Sequence, residues 1–476
     1  MQDVPFIPSD ISPEDPALLD DVHTEWITYG ALKKAACDFR DGLCSLTTEP
    51  RLLFLFVENS IDGAVAFLGG LAAGRCVALL NPSLPQTALD ALIEIYRPDE
   101  IIAPKFATEP EGYRKATDHR FLFLRSSQAK DVAPSEKTKI LLSTSGSTGS
   151  PKFVRLTLPG LIDNAHAIAE ALDIKASDIG CAHLQIDYSY GLSILTSHLV
   201  RGARVLLTRK TFVEREFWDR LRTQKITHLP GVPYHYQMLK RLRFEKLDVP
   251  SLRTMTQAGG RLDLALQQEA HDFMVSRGGR FYVMYGQTEA SPRITTLPHD
   301  RFEEKKGSAG CVIGKGELEV LDGDGKQLGP NKEGEVVYRG ANVMLGYAQS
   351  REDLALPDQL FGVLPTGDIG FLDQEGFLFI TGRAKRFGKV YGWRVNLDEI
   401  EKEASKLAKI PVAVEQVGET LHVCLSKDFE NDENGLIDHL ASRFALPRHV
   451  YRISKVDALP LTPNGKIDYR KLHEWL

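Results

Sequence analysis

Continuous apolar runs that alternate with stretches of helical periodicity limit this chain to few folds. Residues 52–57 and 76–80 carry no polar interruption, while residues 31–43 and 64–73 repeat their apolar positions at helical spacing. A strand that is apolar on both faces must be buried on both faces, which a mostly parallel sheet flanked by helices provides. The rhythm continues through Ile101, residues 121–124 and residues 205–207, so the expected fold class is α/β with a large N-terminal domain of packed sheets. Beyond about residue 300 the texture changes. Short β-rich pieces at 318–321, 334–338 and 377–381 are separated by the turn pairs Asp322-Gly323 and Asp324-Gly325, which predicts hairpins or a small barrel.

The C-terminal residues form a compact α+β pattern of their own. Asn396 and Glu399 make a capping box ahead of the apolar face Leu397, Ile400, Ala404, Leu407 and Ala408. A hairpin is expected over 412–425 around Gly418-Glu419, then a helix over 436–444 and a strand over 451–456. The periodic signal lapses over 382–392, and in and just after that segment Arg383, Lys385, Arg386, Lys389 and Arg394 cluster without an acid. These observations divide the chain into a core, residues 1–382, with a β-rich part from about 300, and a small domain, residues 383–476.

At 476 residues with 43% hydrophobic content, the chain has ample material for a buried core and a length prior of about two to four domains. Its net charge of −6 provides no global basic field, which disfavours a nucleic-acid binder. No run approaches the ~18 apolar residues of a membrane span, and the N-terminus lacks the basic and apolar regions of a signal peptide. The expectation is a soluble, cytoplasmic protein that needs no membrane. Six scattered cysteines with no CxxC pair and no zinc-ligand spacing read as free thiols in a reducing compartment.

The sharpest local signal follows the strand-like residues 140–142. Ser143 leads into Thr144, Ser145, Gly146, Ser147, Thr148 and Gly149, and Lys152 closes the segment. Small residues let backbone N–H groups converge on an anion, hydroxyls add donors, and a lysine supplies charge for phosphate oxygens. A P-loop would run GxxxxGK[ST] into a helix, but residues 153–157 alternate like a strand. Tyr285, Gly286, Gln287, Thr288 and Glu289 place an aromatic face, a tight turn, a hydroxyl and a carboxylate within one short segment.

With these two segments in the same order as residues 26–32, Ala73-Gly74 through Asn81-Pro82, Gly334-Glu335 through Gly346-Tyr347, Thr366-Gly367-Asp368, Gly382-Arg383 and Pro463-Asn464-Gly465-Lys466, the chain resembles the adenylate-forming superfamily along nearly its whole length. That superfamily comprises acyl-CoA synthetases, aryl-acid ligases, firefly-type luciferases and the adenylation domains of nonribosomal peptide synthetases. The resemblance implies an AMP-forming ligase that uses ATP and Mg²⁺ to turn a small carboxylic acid into an acyl-adenylate. The acyl group then passes to a thiol, either coenzyme A or the phosphopantetheine of a carrier protein. The chain ends at Leu476 soon after the Lys466 motif, so a carrier is expected in trans.

The resemblance also implies residue roles. Tyr285 stacks on adenine, Thr288 sits by the α-phosphate, Glu289 holds Mg²⁺, and Ala258, Gly259 and Gly260 form the adenine slot beside Gln257. Asp368 accepts the ribose hydroxyls, Arg383 contacts ribose or phosphate, and Lys466 bridges the substrate carboxylate and the α-phosphate. Lys385 is the hinge of a mobile C-terminal lid whose rotation withdraws Lys466 and brings Gly392 to the thiol channel.

The acid pocket is expected around Asp187, Tyr188, Ser189, Tyr190 and Gly191, with Gly231, Val232, Pro233, Tyr234, Gln257, Ala258 and Met284 as further walls. Two registers fit this segment. Anchored on Gly191-Leu192, Tyr188 takes the place of the aromatic or histidine gate and no carboxylate faces the pocket; this register is preferred because Tyr190-Gly191-Leu192 fits without a gap. Shifted by two, Asp187 falls where amino-acid adenylation domains hold an ammonium. A noncatalytic nucleotide-binding protein is the third alternative, against which the intact Lys152, Glu289, Asp368, Arg383 and Lys466 argue.

Overall fold

The computed structural model describes residues 4–46, 51–103, 112–116, 122–125, 132–143, 152–243, 246–390, 393–427, 429, 432–444, 446–462 and 467–476. The chain forms two compact units: the described residues of Met1–Thr144, Ser150–Glu317 and Arg339–Leu364, and those of Leu318–Tyr338 and Pro365–Leu476.

The first unit contains two large sheets. In one, Leu52–Phe56 lies between the parallel strands Cys76–Leu80 and Glu100–Ile102, and Cys76–Leu80 pairs in parallel with Ile140–Ser143. The apolar runs are therefore interior strands, and every residue of Leu52–Phe56 and Cys76–Leu80 is buried, as a doubly covered sheet requires. The expected parallel rhythm stops at the edge: Leu122–Arg125 pairs antiparallel with both Glu100–Ile102 and Tyr113–Lys115. Phe153–Leu156 also runs antiparallel to Ile140–Ser143, so a strand, not a helix, follows Lys152.

The second large sheet has nine strands. Its centre is parallel, with Arg204–Leu207, Ile179–Ala182, His228–Gly231, Thr254–Gln257 and Arg280–Gly286 in spatial order. Arg293–Leu297 then turns back antiparallel to Arg280–Gly286. Helices Leu158–Ala171, Ser189–Leu199, Pro233–Arg241 and Leu264–Val275 lie between successive strands in the chain.

Glu317–Leu321, Gly334–Arg339, Val363–Leu372 and Leu378–Arg383, most of whose residues fall in the other unit, form a four-stranded sheet, matching the β-rich texture read from the sequence. The Asn396 side chain caps helix Leu397–Ala408 by accepting from the Asp398 and Glu399 N–H groups. Leu397, Ile400, Ala404 and Ala408 face inward, but Leu407 is 40% exposed. It sits about 100° around the helix from Ala408, off the buried stripe. Ala413–Val417 and Thr420–Ser426 make the expected hairpin, and Tyr451–Val456 joins it in parallel.

All six cysteines are free, with Cys76, Cys181 and Cys424 buried. Among the described residues no helix is long and apolar enough to cross a membrane.

Candidate active site

Four neighbouring parallel strands, Ile179–Ala182, His228–Gly231, Thr254–Gln257 and Arg280–Gly286, point the same way. The segments that follow them therefore emerge at one edge: the 183–191 connection, Val232-Pro233, Ala258-Gly259-Gly260 and Gln287-Thr288-Glu289. In an open α/β sheet, the crevice outside the carboxyl ends of the strands is where ligands bind. Motifs separated by up to about a hundred residues of sequence meet here.

Close backbone approach explains the glycines. A Cβ on Gly286 would lie 1.9 Å from the Pro292 carbonyl oxygen, to which the Gln287 N–H donates at 2.8 Å. Gly259 has φ +81°, and a Cβ there would lie 2.6 Å from the Tyr188 hydroxyl oxygen, so Tyr188 rests on the 258–260 turn. The Gln257 amide closes that turn by donating to the Gly260 carbonyl at 2.6 Å, and Pro233 packs beside Gly260. A Cβ on Gly191 would come within 2.1 Å of the Gln185 carbonyl oxygen. Buried Asn59 pins the preceding residues by donating to the Ala182 and Leu184 carbonyls at 2.8 and 3.0 Å and accepting from the Ile186 N–H at 3.1 Å.

The polar side chains are held as follows. The Tyr347 hydroxyl donates to Glu289 Oε1 at 2.7 Å, and the Lys152 ammonium lies 3.8 Å from the centroid of the same ring. Burial, then the neighbouring Glu289 charge, raises the Tyr347 phenol above its ordinary range. Ser189 Oγ and Thr288 Oγ1 are hydrogen-bonded at 3.0 Å. The Met344 N–H donates to the Glu289 carbonyl at 2.8 Å, fixing the short turn that carries Thr288 and Glu289.

In the expected acid pocket, Gln257, Ala258, Val232 and Met284 are buried, whereas Tyr234 is exposed. Tyr190 Oη is 2.8 Å from Thr256 Oγ1. Burial pushes Tyr188 up to about 12 and Asp187 up to about 6, the latter partly opposed by hydrogen bonds from Asn81 and its own backbone. Asp187 Oδ1 is buried with no hydrogen-bond partner among the described residues.

Beside Val232 the structure adds two histidines that the sequence did not single out. His183, bonded to the Pro230 carbonyl at 2.7 Å, packs 4.8 Å from His235, whose Nδ1 accepts from the Val232 N–H at 3.2 Å. Burial drives them down to about 4 and about 2, so both are neutral at pH 7. Tyr347 lay within a quoted motif but had no role, and Arg293, eight residues after Tyr285, carried no signal in one sequence.

In the second unit, strand pairing sets Asp368 opposite Arg383. Arg383 Nε is 3.3 Å from Asp368 Oδ1, the aspartate being buried and the arginine exposed. The Asp368 N–H donates to Thr366 Oγ1 at 3.1 Å, and Gly367 between them has φ +71°. Lys385 lies in a single 3₁₀ turn, Ala384–Arg386. Thr144, Ser145, Gly146, Ser147, Thr148, Gly149, Gly392 and Lys466 lie outside the described residues.

Near the carboxyl edge of a parallel sheet, the first unit thus brings together glycine turns, a cation, a carboxylate and two hydroxyls. The chain belongs to the family of AMP-binding enzymes, whose model matches residues 9–348. Among its relatives is 4-coumarate-CoA ligase 1 of Narcissus pseudonarcissus, 25% identical over 96% of this chain and 90% of that protein. Two solved structures share the fold. O-succinylbenzoate coenzyme A synthetase from Bacillus subtilis, in complex with AMP, has a TM-score of 0.79 at 23% identity and covers 97% of this chain and 96% of its own. ATP-bound MatB from Rhodopseudomonas palustris has a TM-score of 0.79 at 22% identity over 98% and 96%.

Proposed function

We propose that this chain is an AMP-forming acid–thiol ligase that activates a small carboxylic acid with ATP and passes the acyl group to coenzyme A. The observation that carries this reading is the placement of Lys152, Tyr347 and Glu289 together in a member of the AMP-binding family.

A substrate carboxylate oxygen attacks the α-phosphorus of ATP and pyrophosphate leaves. No general base is needed, because the acid is already ionised. Two anions must meet, so fixed positive charge lowers the barrier; Lys152 and Lys466 are assigned that role, with the hydroxyl and backbone donors of Thr144 to Gly149. Glu289, held by Tyr347, is a hard oxygen donor of the kind Mg²⁺ takes, and the ion when bound supplies further neutralisation. Tyr285 is assigned to the adenine, Gly259 and Gly260 to its slot, and Asp368 with Arg383 to the ribose. The thiol sulfur then attacks the acyl carbonyl carbon, the thiol proton is released, and the bond to AMP breaks as the thioester forms. In this reading residues 383–476 turn about Lys385 between the two steps, exchanging Lys466 for Gly392.

A carrier-protein thiol is the alternative acceptor. Asp187 supports a second reading, activation of an amino acid, because its buried Oδ1 lacks a partner that an ammonium would supply. The deciding experiment is carboxylate-dependent ATP–pyrophosphate exchange over fatty, aryl, hydroxy and amino acids, with Lys466→Ala as the blank. Exchange with one acid class supports the ligase reading and selects the register at Asp187. Silence over the panel with ATP still bound favours the noncatalytic alternative.

A further inference from the structure

Arg293 opens the strand Arg293–Leu297 and sits opposite Gly286 across the antiparallel pair. Its backbone is bonded to the buried Asn164 side chain, N–H to Oδ1 at 3.1 Å and carbonyl from Nδ2 at 2.8 Å. Its side chain is buried, the residue being 2% exposed, yet Nε and Nη2 have no hydrogen-bond partner among the described residues. The other fully buried arginines differ: Arg75 pairs with Glu100, Arg351 with Asp99, and Arg155 donates to the Leu345 and Leu356 carbonyls. The charged or ionisable groups that bear on Arg293 are the phenols of Tyr190 and Tyr188. Its guanidinium carbon lies 5.0 Å from the Tyr190 ring centroid.

A buried guanidinium with no counterion is costly, and one aromatic ring returns only part of that cost. Nε and Nη2 form one edge of the guanidinium, the fork that matches the two oxygens of a carboxylate. Tyr188, half-buried, rests on the 258–260 turn and its phenol bears on Arg293, so the unpartnered guanidinium edge belongs to the surroundings of the expected acid pocket.

We propose that Arg293 is a specificity-determining residue that binds a second carboxylate, at the end of the acid substrate remote from the carboxylate that is activated. The substrate class is then a dicarboxylic acid. This rests on the acid-activating reading above.

The test uses the full-length protein and pairs of acids with one carbon skeleton, each dicarboxylic acid against its monoamide, in ATP–pyrophosphate exchange. At least one diacid should exceed its monoamide by about 50-fold or more in kcat/KM, because a site built around a polar group rejects the analogue that leaves that group unpaired. Arg293→Gln should bring that ratio to within a few-fold, mainly through the KM of the diacid, and Arg293→Lys should keep an intermediate ratio. Equal loss on both members of a pair would overturn the proposal, since an arginine holding the reacting carboxylate or only the fold would act on both alike. If the variants do not fold, the wild-type ratio decides: exchange with neutral acids and no diacid preference overturns the proposal. Exchange with no acid at all counts against the ligase reading instead. Calorimetric titration of the same pairs in the presence of AMP then judges Arg293 separately, with diacid-selective binding supporting it and its absence overturning it.

Discussion

The hydroxyl of Tyr347 donates to Glu289 Oε1 at 2.7 Å while the Lys152 ammonium stands 3.8 Å from the centroid of the same ring. One tyrosine thus orients the carboxylate assigned to Mg²⁺ and supports the lysine assigned to phosphate. A hydrogen bond to a charged group is worth about 1.5–3 kcal/mol. Tyr347→Phe should therefore lower kcat/KM for ATP about tenfold at limiting Mg²⁺, and less when Mg²⁺ is saturating. Exchange rates measured across a Mg²⁺ titration check this; an unaltered Mg²⁺ dependence would show that the bond does not orient Glu289.

Asp187 gives a pH signature. Burial raises its carboxyl from 3.8 to about 6, so the folded state favours the neutral form. A raised folded-state value means that the group's contribution is present below about pH 4 and is lost as pH rises through about 6. Asp187→Asn should match the wild type near pH 4 and exceed it by about 2 kcal/mol at pH 7, a figure reduced from the full shift for partial solvent access. Thermal unfolding at both pH values reads the difference. An equal offset at both would assign the effect to packing.

In the second unit, Arg386 gathers three carboxylates: Asp398 at 2.9 Å, Glu401 at 2.9 Å and Glu415 at 3.3 Å. Its guanidinium also stacks on Tyr469, whose hydroxyl donates to Glu401 at 2.8 Å. Removing one partner of a buried ionic network leaves the others unpaired and costs about 3–5 kcal/mol. Arg386→Met should lower stability by that order in urea unfolding. Burial already pushes Glu401 up to about 7, and loss of Arg386 pushes it further, so the damage should be greater at pH 8 than at pH 5. Equal damage at both pH values would place the loss in packing against Tyr469.

For the proposed two-step reaction, Lys466→Ala should reduce adenylate formation by about 100-fold or more, as expected for a charge that acts in the transition state. Thioester formation from a supplied acyl-adenylate should persist. Separate assay of the half-reactions distinguishes this from a loss common to both, which would contradict the assigned exchange of Lys466 for Gly392.

What the sequence determined by itself was the α/β class, the capped C-terminal helix and the family, because each is written locally. Apolar runs specify interior strands, Asn396 specifies a helix start, and contiguous motifs such as residues 285–289 keep their chemistry wherever they are placed. Leu407 shows the limit of that reading even within one helix, since its inward or outward face depends on which neighbouring stripe the core takes up. Only the tertiary structure decided the partnerships. Tyr347 meets both Glu289 and Lys152, the latter because Gly346–Ala348 pairs with Phe153–Leu156, strands that are far apart in the chain. The isolation of Arg293 among the described residues is likewise a property of three-dimensional packing, since burial and the lack of a counterion there are set by the residues that fold around it. Charge and hydrogen bonding act over a few ångströms of space, and in this sheet those distances join residues that the sequence sets scores or hundreds of positions apart.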